Sequence, residues 1–440
     1  MKIQISLNYS VEVSEFNLSF LVSVFRQLIP LLLSGFISSV MRQLSESIGT
    51  SSSAAGQMLT KETFRCPKCG SLAFIWKTRG SSTTRAKVLT EIGPVEIPQM
   101  QIQCRKCGRK TYITRKILGL ERYAKMTNDT AQKLALCGSL SSFRVCEVFW
   151  RISGFVFSRS TIWRCVQKVG ESLRFAISPD EKPVGQADGT GIPVHGAGKR
   201  GSELKVLIQQ NKAKSRGRTG SAWRIAGIDI GPYNGSWEKL FAPSLEAIKK
   251  FGTFFLITDG DNAIRKGLDN VFVTFQRCLW HIPHQLKHCL WQDKVQHKGD
   301  VWEEIMGMVY HLVSCPRLLD DPEIVAFLAH KKMLFEELLD YCLKLNCTHC
   351  HKYLQNARDD LFAGVEKRLE GKASSIVERV MRTVNMRIDF GKWSKAGALN
   401  ATKVRLAFYY NGFDPSRTNR GKKAAVTVTT AICRKEDAAS

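Results

Sequence analysis

Between residues 184 and 277 the chain carries five apolar runs, and the way they are connected limits the fold more than any other feature. "VGQADGTGIPV", "SELKVLIQQN" and "AWRIAGIDIG" follow one another across turns rich in Gly, Ser and Lys, which reads as an antiparallel meander. "TFFLITDG" and "VFVTFQRC" are each preceded by helical text, "SLEAIKKFG" and "AIRKGLDN". A helix between two strands supplies the crossover that a parallel pair requires. The expected result is an α/β unit with a mixed sheet and helices on its faces.

Three antiparallel strands followed by helix–strand–helix–strand is the order of an RNase H-like core, expected over residues 181–298 and 372–412. Residues 299–371, between these two parts, are charged amphipathic text without strand signals and read as a helical insertion. "EGKASSIVERVMRTVNMRIDFG" supplies a helix after the insertion. The Thr/Ala/Lys-rich tail, 413–440, is expected to be flexible.

Charge divides the upstream part. The chain has a formal net charge of +26, which favours a polyanionic partner, nucleic acid above all. Residues 61–125 hold fifteen Lys/Arg against four Asp/Glu, whereas residues 1–60 hold three of each. The apolar stretch 20–41 contains Arg26, Gln27 and Pro30, which argues against a membrane span. It lacks a basic leader and a small-residue cleavage site, so it is a poor signal peptide. Residues 1–60 are therefore expected to form a helical or oligomerisation segment, ended by the linker "GTSSSAAGQ".

The chain has 14 cysteines, and a reducing cytoplasm is expected. Metal ligation then outranks disulfides. "CPKCG" and "CRKCG" place Cys66, Cys69, Cys104 and Cys107 in two Cys-x-x-Cys-Gly knuckles separated by β-rich text. Four thiolates so spaced predict a zinc ribbon over 61–120 with structural Zn²⁺. Residues 121–180 read as short helices with a turn at "SGFVFSRS". The pattern fits a helix-turn-helix or a plain helical hairpin, and the charge favours the first, with Arg159, Thr161, Arg164 and Lys168 facing DNA.

Three acids stand at informative places. Asp188 lies in the first strand run, Asp259 ends the fourth, and Glu378 is on the helix after the insertion. In an RNase H-like sheet the first and fourth strands are neighbours, and a helix across their ends adds the third carboxylate. Such a set can hold Mg²⁺ or Mn²⁺ for in-line phosphoryl transfer. Asp261 and Asp229 are rivals for the second position, and an acid ending a strand also serves as an ordinary helix cap.

"ADGTGIPV", "LITDGDNAI", "CLWH" and "SSIVERVMRTVNMR", in this order over residues 60–412, resemble the D, D, C-x-x-H and E-R blocks of DDE transposases. The resemblance is to the mutator-like insertion-sequence group, which carries a helical insertion before its final Glu. It implies Asp188, Asp259 and Glu378 as the catalytic, metal-binding triad, and Arg379 and Arg382 as phosphate contacts. It also implies Trp393, near the end of the core, as a residue of the active-site rim or DNA contact. The activity implied is metal-dependent cleavage at element ends, followed by attack of the freed 3′-hydroxyl on target DNA. Homo-oligomers on paired DNA ends in a bacterial, nucleoid-associated cytoplasmic setting go with that activity. A catalytically inactive regulator and a nuclease without strand transfer remain alternatives.

"QRCLWHIPHQLKHCL" crowds Cys278, His281, His284 and His288 into what one continuous helix would make an arc of roughly 120°. Pro283 places the helix start at Ile282 or Pro283 instead. Cys278 and His281 are then expected to shape the active-site rim and contact DNA. Cys347 and Cys350, with His349 and His351, form a second cluster that reads as structural thiols or as another zinc site.

Overall fold

The computed structural model describes residues 28–29, 31–39, 65–76, 85–91, 93–99, 101–112, 114–117, 120–121, 124–195, 202–214, 217–233, 235–315, 321–366, 376–389 and 391–416. Most of the expected oligomerisation segment, its linker, and residues 417–440 of the expected tail lie outside these residues.

Two small antiparallel sheets come first. β1 (Phe74–Trp76), β4 (Gln101–Cys104) and β5 (Lys110–Tyr112) form one, in the order β1–β4–β5, while β2 (Arg85–Thr90) and β3 (Gly93–Pro98) pair as a hairpin between β1 and β4. A helical stretch at 31–39 lies on that hairpin, where Ile37 packs against Val88, Val95 and Ile97.

Three helices follow: α1 (Asn128–Leu140), α2 (Phe143–Ile152) and α3 (Arg159–Ser172). Each begins on a hydroxyl cap, with Thr127, Ser142 and Ser158 accepting from the backbone N–H three residues on. Gly138 lets α1 approach α3 closely, since a Cβ there would fall 2.8 Å from Ile162.

The central sheet has five strands: β6 (Val184–Ile192), β7 (Ser202–Gln210), β8 (Trp223–Gly231), β9 (Phe254–Thr258) and β10 (Val273–Arg277). Their spatial order is β10–β9–β6–β7–β8. The meander β6–β7–β8 is antiparallel, whereas β9 runs parallel to both β6 and β10. The order of connection read from the sequence is thus the order observed.

Both faces of the sheet are covered. On one side Ala187, Leu207, Ala226 and Leu256 pack against α4 (Trp237–Phe241), α5 (Leu245–Lys250) and α6 (Asn262–Lys266). A separate helical unit, α7 (His281–Gln292), α8 (Asp300–Val313), α9 (Asp321–Lys344) and α10 (Thr348–Ala357), has its own core. Ile282 and Leu286 of α7 belong to that core, so the helical unit begins ahead of the expected boundary at 299.

The other face carries α11 (Ile376–Ile388) and α12 (Lys395–Tyr410) together with α1 and α3. Leu134, Ile162 and Val166 share one core with Val184, Val206, Ile257 and Val404, so the helices at 121–180 are built into the sheet's core. Two buried arginines fasten them. Arg387 donates to Gly138 O, and Arg405 to Ser139 O and Leu140 O, satisfying carbonyls at the open end of α1. Among the described residues, no helix is long and apolar enough to cross a membrane.

Candidate active site

The site grows out of strand alternation. Val184 points to the α11 side of the sheet and Ala187 to the other, so Gln186 and Asp188 share the α11 face. Gln186 is fully buried and its Oε1 accepts from Val377 N at 3.2 Å, fixing the first turn of α11 over β6. Glu378, the next residue, comes beside Asp188. His281 lies between them, its Nε2 3.0 Å from Glu378 Oε1 and 3.8 Å from Asp188 Oδ2. Ligand atoms of Asp188, His281 and Glu378 all lie within 4.8 Å of one another, a spacing compatible with one metal ion.

The electrostatics follow from that crowding. Burial pushes the Asp188 carboxyl well above the usual carboxylate range against the pull of His281, and the charges of Asp259 and Glu378 add to the rise. The bond from His281 holds Glu378 below its ordinary value, against burial. Burial disfavours charge on His281, yet the Cys278 thiol, Glu378 and Asp188 together raise its pKa to about 10. Glu378 and Asp188 thus favour the protonated form of His281, and the ring becomes a donor to a metal ion only on losing that proton. The available donors are carboxylate oxygens and one imidazole, a set compatible with a divalent metal ion.

Asp259 follows directly on β9, whose Phe255 and Ile257 face α11, so alternation carries its side chain to the same side as Asp188. Its charge reaches Asp188, but it stands outside the Asp188–His281–Glu378 group. Asp259 Oδ1 accepts from Asp261 N at 2.9 Å. The rival Asp261 is occupied as the cap of α6, accepting from Ala263 N at 2.9 Å and from Trp237 Nε1 at 3.3 Å. Asp229 pairs in register with Lys205 on the opposite face and lies 3.5 Å from Lys239, away from Asp188.

The loop that carries Asp259 is clamped from the insertion side. Arg277, at the end of β10, donates through one guanidinium nitrogen to Asp259 O at 3.0 Å and through the other to Asn356 O at 3.0 Å. It also lies 3.6 Å from the buried Asp360, which pairs with Arg265 as well. Gly260 makes this possible: at φ +95° a Cβ would fall 1.3 Å from the Arg277 guanidinium. The next residue, Cys278, donates its N–H to Thr258 O at 2.7 Å. One short segment thus fixes Asp259 and delivers His281.

Several expected contacts fall elsewhere. Cys278 is buried in the core and has no face on a rim for DNA. His281 occupies the centre of the site. The helix starts at His281, with Pro283 in its first turn as the proline required. Trp393 is only 5% exposed; its Nε1 donates to Ile388 O at 2.9 Å and Arg387 lies over its ring, so it is a core residue. Arg382, one turn after Glu378, lines an open cleft of about 260 Å³ with Glu378, Gly189 and Thr190. Arg379 is exposed and turned out of that cleft, its charge acting on Tyr410.

In the N-terminal sheets, Cys66 Sγ lies 3.5 Å from Cys107 Sγ, and Cys69 Sγ lies 3.5 Å from Cys104 Sγ, with all four within 4.8 Å. Tetrahedral zinc with Zn–S near 2.3 Å asks for sulfur separations of about 3.8 Å, so the cluster fits a metal ion. Both knuckles close alike. Gly70 N donates to Cys66 O, Gly108 N donates to Cys104 O, and both glycines have positive φ. Burial opposes ionisation of Cys104, but the N–H groups of Cys107 and Lys106 bring its pKa down to about 6. A thiol so lowered is ready to act as a ligand.

Arg159, Thr161, Arg164 and Lys168 do not share one face. Thr161, Arg164 and Lys168 line a cavity of about 270 Å³ against residues 120–131, whereas Arg159 turns to α2 and lies 2.9 Å from Glu147. A two-residue step on a helix separates side chains by roughly 200°, which accounts for the split. Cys347 and Cys350 are buried in the insertion core and join no metal-ligand group among the described residues. Asp293 caps α10 instead, accepting from His349 N and Cys350 N.

Gln186, Arg277 and the central role of His281 escape a reading of the sequence. Gln186 left one signal, a polar residue two positions before Asp188 inside an apolar run. No protein-family model matches the chain, and no curated protein matches it.

Proposed function

We propose that the chain is a DDE transposase of the mutator-like insertion-sequence type, with an RNase H-like catalytic core. It cleaves DNA at element ends in a metal-dependent step and transfers the 3′-hydroxyl ends into target DNA. One observation carries the reading: Asp188 and Glu378, 190 positions apart, meet on one sheet face midway along β6, with Asp259 just past the end of the neighbouring strand. The strand order β10–β9–β6–β7–β8 supports the RNase H-like core.

In this reading Asp188, Glu378 and Asp259 hold Mg²⁺ or Mn²⁺, and His281 keeps Glu378 turned towards Asp188. A divalent ion at such a site neutralises charge on a phosphodiester and lowers the pKa of a bound water. Arg382 meets the scissile phosphate in the cleft beside Glu378. The Cys66/Cys69/Cys104/Cys107 cluster is a structural zinc site in a ribbon-like module. That module and the basic residues of α3 bind the DNA ends, acting in homo-oligomers at the bacterial nucleoid.

The test is an assay on end-labelled duplex taken from the borders of the chain's own gene, with Mg²⁺ or Mn²⁺. Cleaved and joined products support the transposase. Cleavage without joining points to a nuclease, and binding without either product to a regulator.

A further inference from the structure

We propose that the outer face of α7 is a stacking platform for unpaired DNA bases beside the scissile bond. This rests on the reading above and names the form of DNA that the site takes.

α7 buries Ile282, Leu286 and Leu290 in the insertion core. Its outer face carries Trp280, His284, Lys287, His288 and Trp291, which fall within roughly a 100° arc at 3.6 residues per turn. The rings are ordered in two pairs. Trp280 and His284 have centroids 4.3 Å apart, and His288 stacks on Trp291 at 5.7 Å with planes 15° apart. Trp280 is 44% exposed and Trp291 73% exposed, large ring surfaces left open to solvent among the described residues. Lys287 sits among them with its ammonium 5.9 Å from the Tyr310 ring on α8.

The row is continuous with the carboxylate site. The Trp280 ring centroid is 4.9 Å from that of His281. From Trp280 to Trp291 the helix rises about 16 Å, room for several stacked bases. Its composition selects the occupant. A groove for an amphipathic protein helix asks for aliphatic side chains, whereas rings interleaved with a cation match the alternation of base and phosphate along a single strand. In a duplex the base faces are covered by their neighbours. The platform therefore acts on a strand that is frayed or flipped out next to the cut.

Full-length protein is titrated with a duplex, and with the same duplex carrying a single-stranded end labelled with 2-aminopurine. The wild type should quench the single-stranded label and bind the frayed DNA more tightly than the duplex. Trp291→Ala and Trp280→Ala should each weaken binding to the frayed DNA on the order of 5- to 100-fold and leave duplex binding unchanged. Trp291→Phe should restore most of the loss. Circular dichroism confirms that each variant is folded. Equal affinity of wild type and alanine variants for frayed DNA overturns the platform while leaving the transposase reading standing. Failure to bind any DNA overturns both.

Discussion

His281 Nε2 lies 3.0 Å from Glu378 Oε1, so the first residue of α7 is tied to the first turn of α11 across the end of the sheet. The contact joins the helical unit to the two strands' worth of carboxylates that it overhangs. It makes His281 either a ligand or the group that orients one.

Replacing His281 by Ala should therefore weaken binding of Mn²⁺ by about 10- to 100-fold, the usual cost of losing a ligand or its orienting partner. Calorimetric titration of Mn²⁺ into the full-length protein measures this. Affinity equal to that of the wild type would contradict a role for His281 at the metal.

Arg277 should prove structural for the loop that carries Asp259. Arg277→Met strips the buried Asp360 of one of its two arginines and releases Asp259 O and Asn356 O, at a cost of about 3 kcal/mol. Gly260→Ala forces a side chain into the guanidinium at a positive φ and should cost about 2 kcal/mol or more. Urea unfolding midpoints report both. In the pair Gly260→Ala/Arg277→Met the clash is gone, so the combined loss should be smaller than the sum of the two.

Chelation should act on the N-terminal sheets and spare the central one. The purified chain is expected to carry about one zinc ion, held by Cys66, Cys69, Cys104 and Cys107. Replacing Cys104 by Ser should remove it by elemental analysis, because no other group of four thiols exists among the described residues. Full zinc retention in that variant would place the ion elsewhere.

What could be read in the sequence was whatever has a period or a fixed spacing. β6 to β10 announced themselves because apolar runs and intervening helical text dictate whether neighbouring strands run parallel or antiparallel. The four cysteines were legible because two knuckles repeat the same five-residue pattern. Asp188 and Glu378 were legible as an acid inside the first strand run and an acid on the helix after the insertion. Their approach was not, because it depends on Gln186 holding Val377, a bond across 191 positions that leaves no local trace. Arg277 is the same case: a charged residue ending a strand reads as a solvated one until Asn356 and Asp360 arrive from the insertion. Trp393, placed at the active-site rim only by the resemblance, is instead enclosed by Arg387 and Phe143. The four α3 residues were grouped by sequence proximity, and the helical period divides them.

The central claim is that Asp188 belongs to a metal site that cuts DNA. The most direct measurement compares wild type and Asp188→Asn for Mg²⁺- or Mn²⁺-dependent cleavage of duplex from the gene's borders, with DNA binding measured in parallel. Asn keeps the size of the side chain and removes the charge that a cation needs. The account predicts cleavage reduced to background with binding nearly intact. Cleavage retained at the wild-type rate would contradict it.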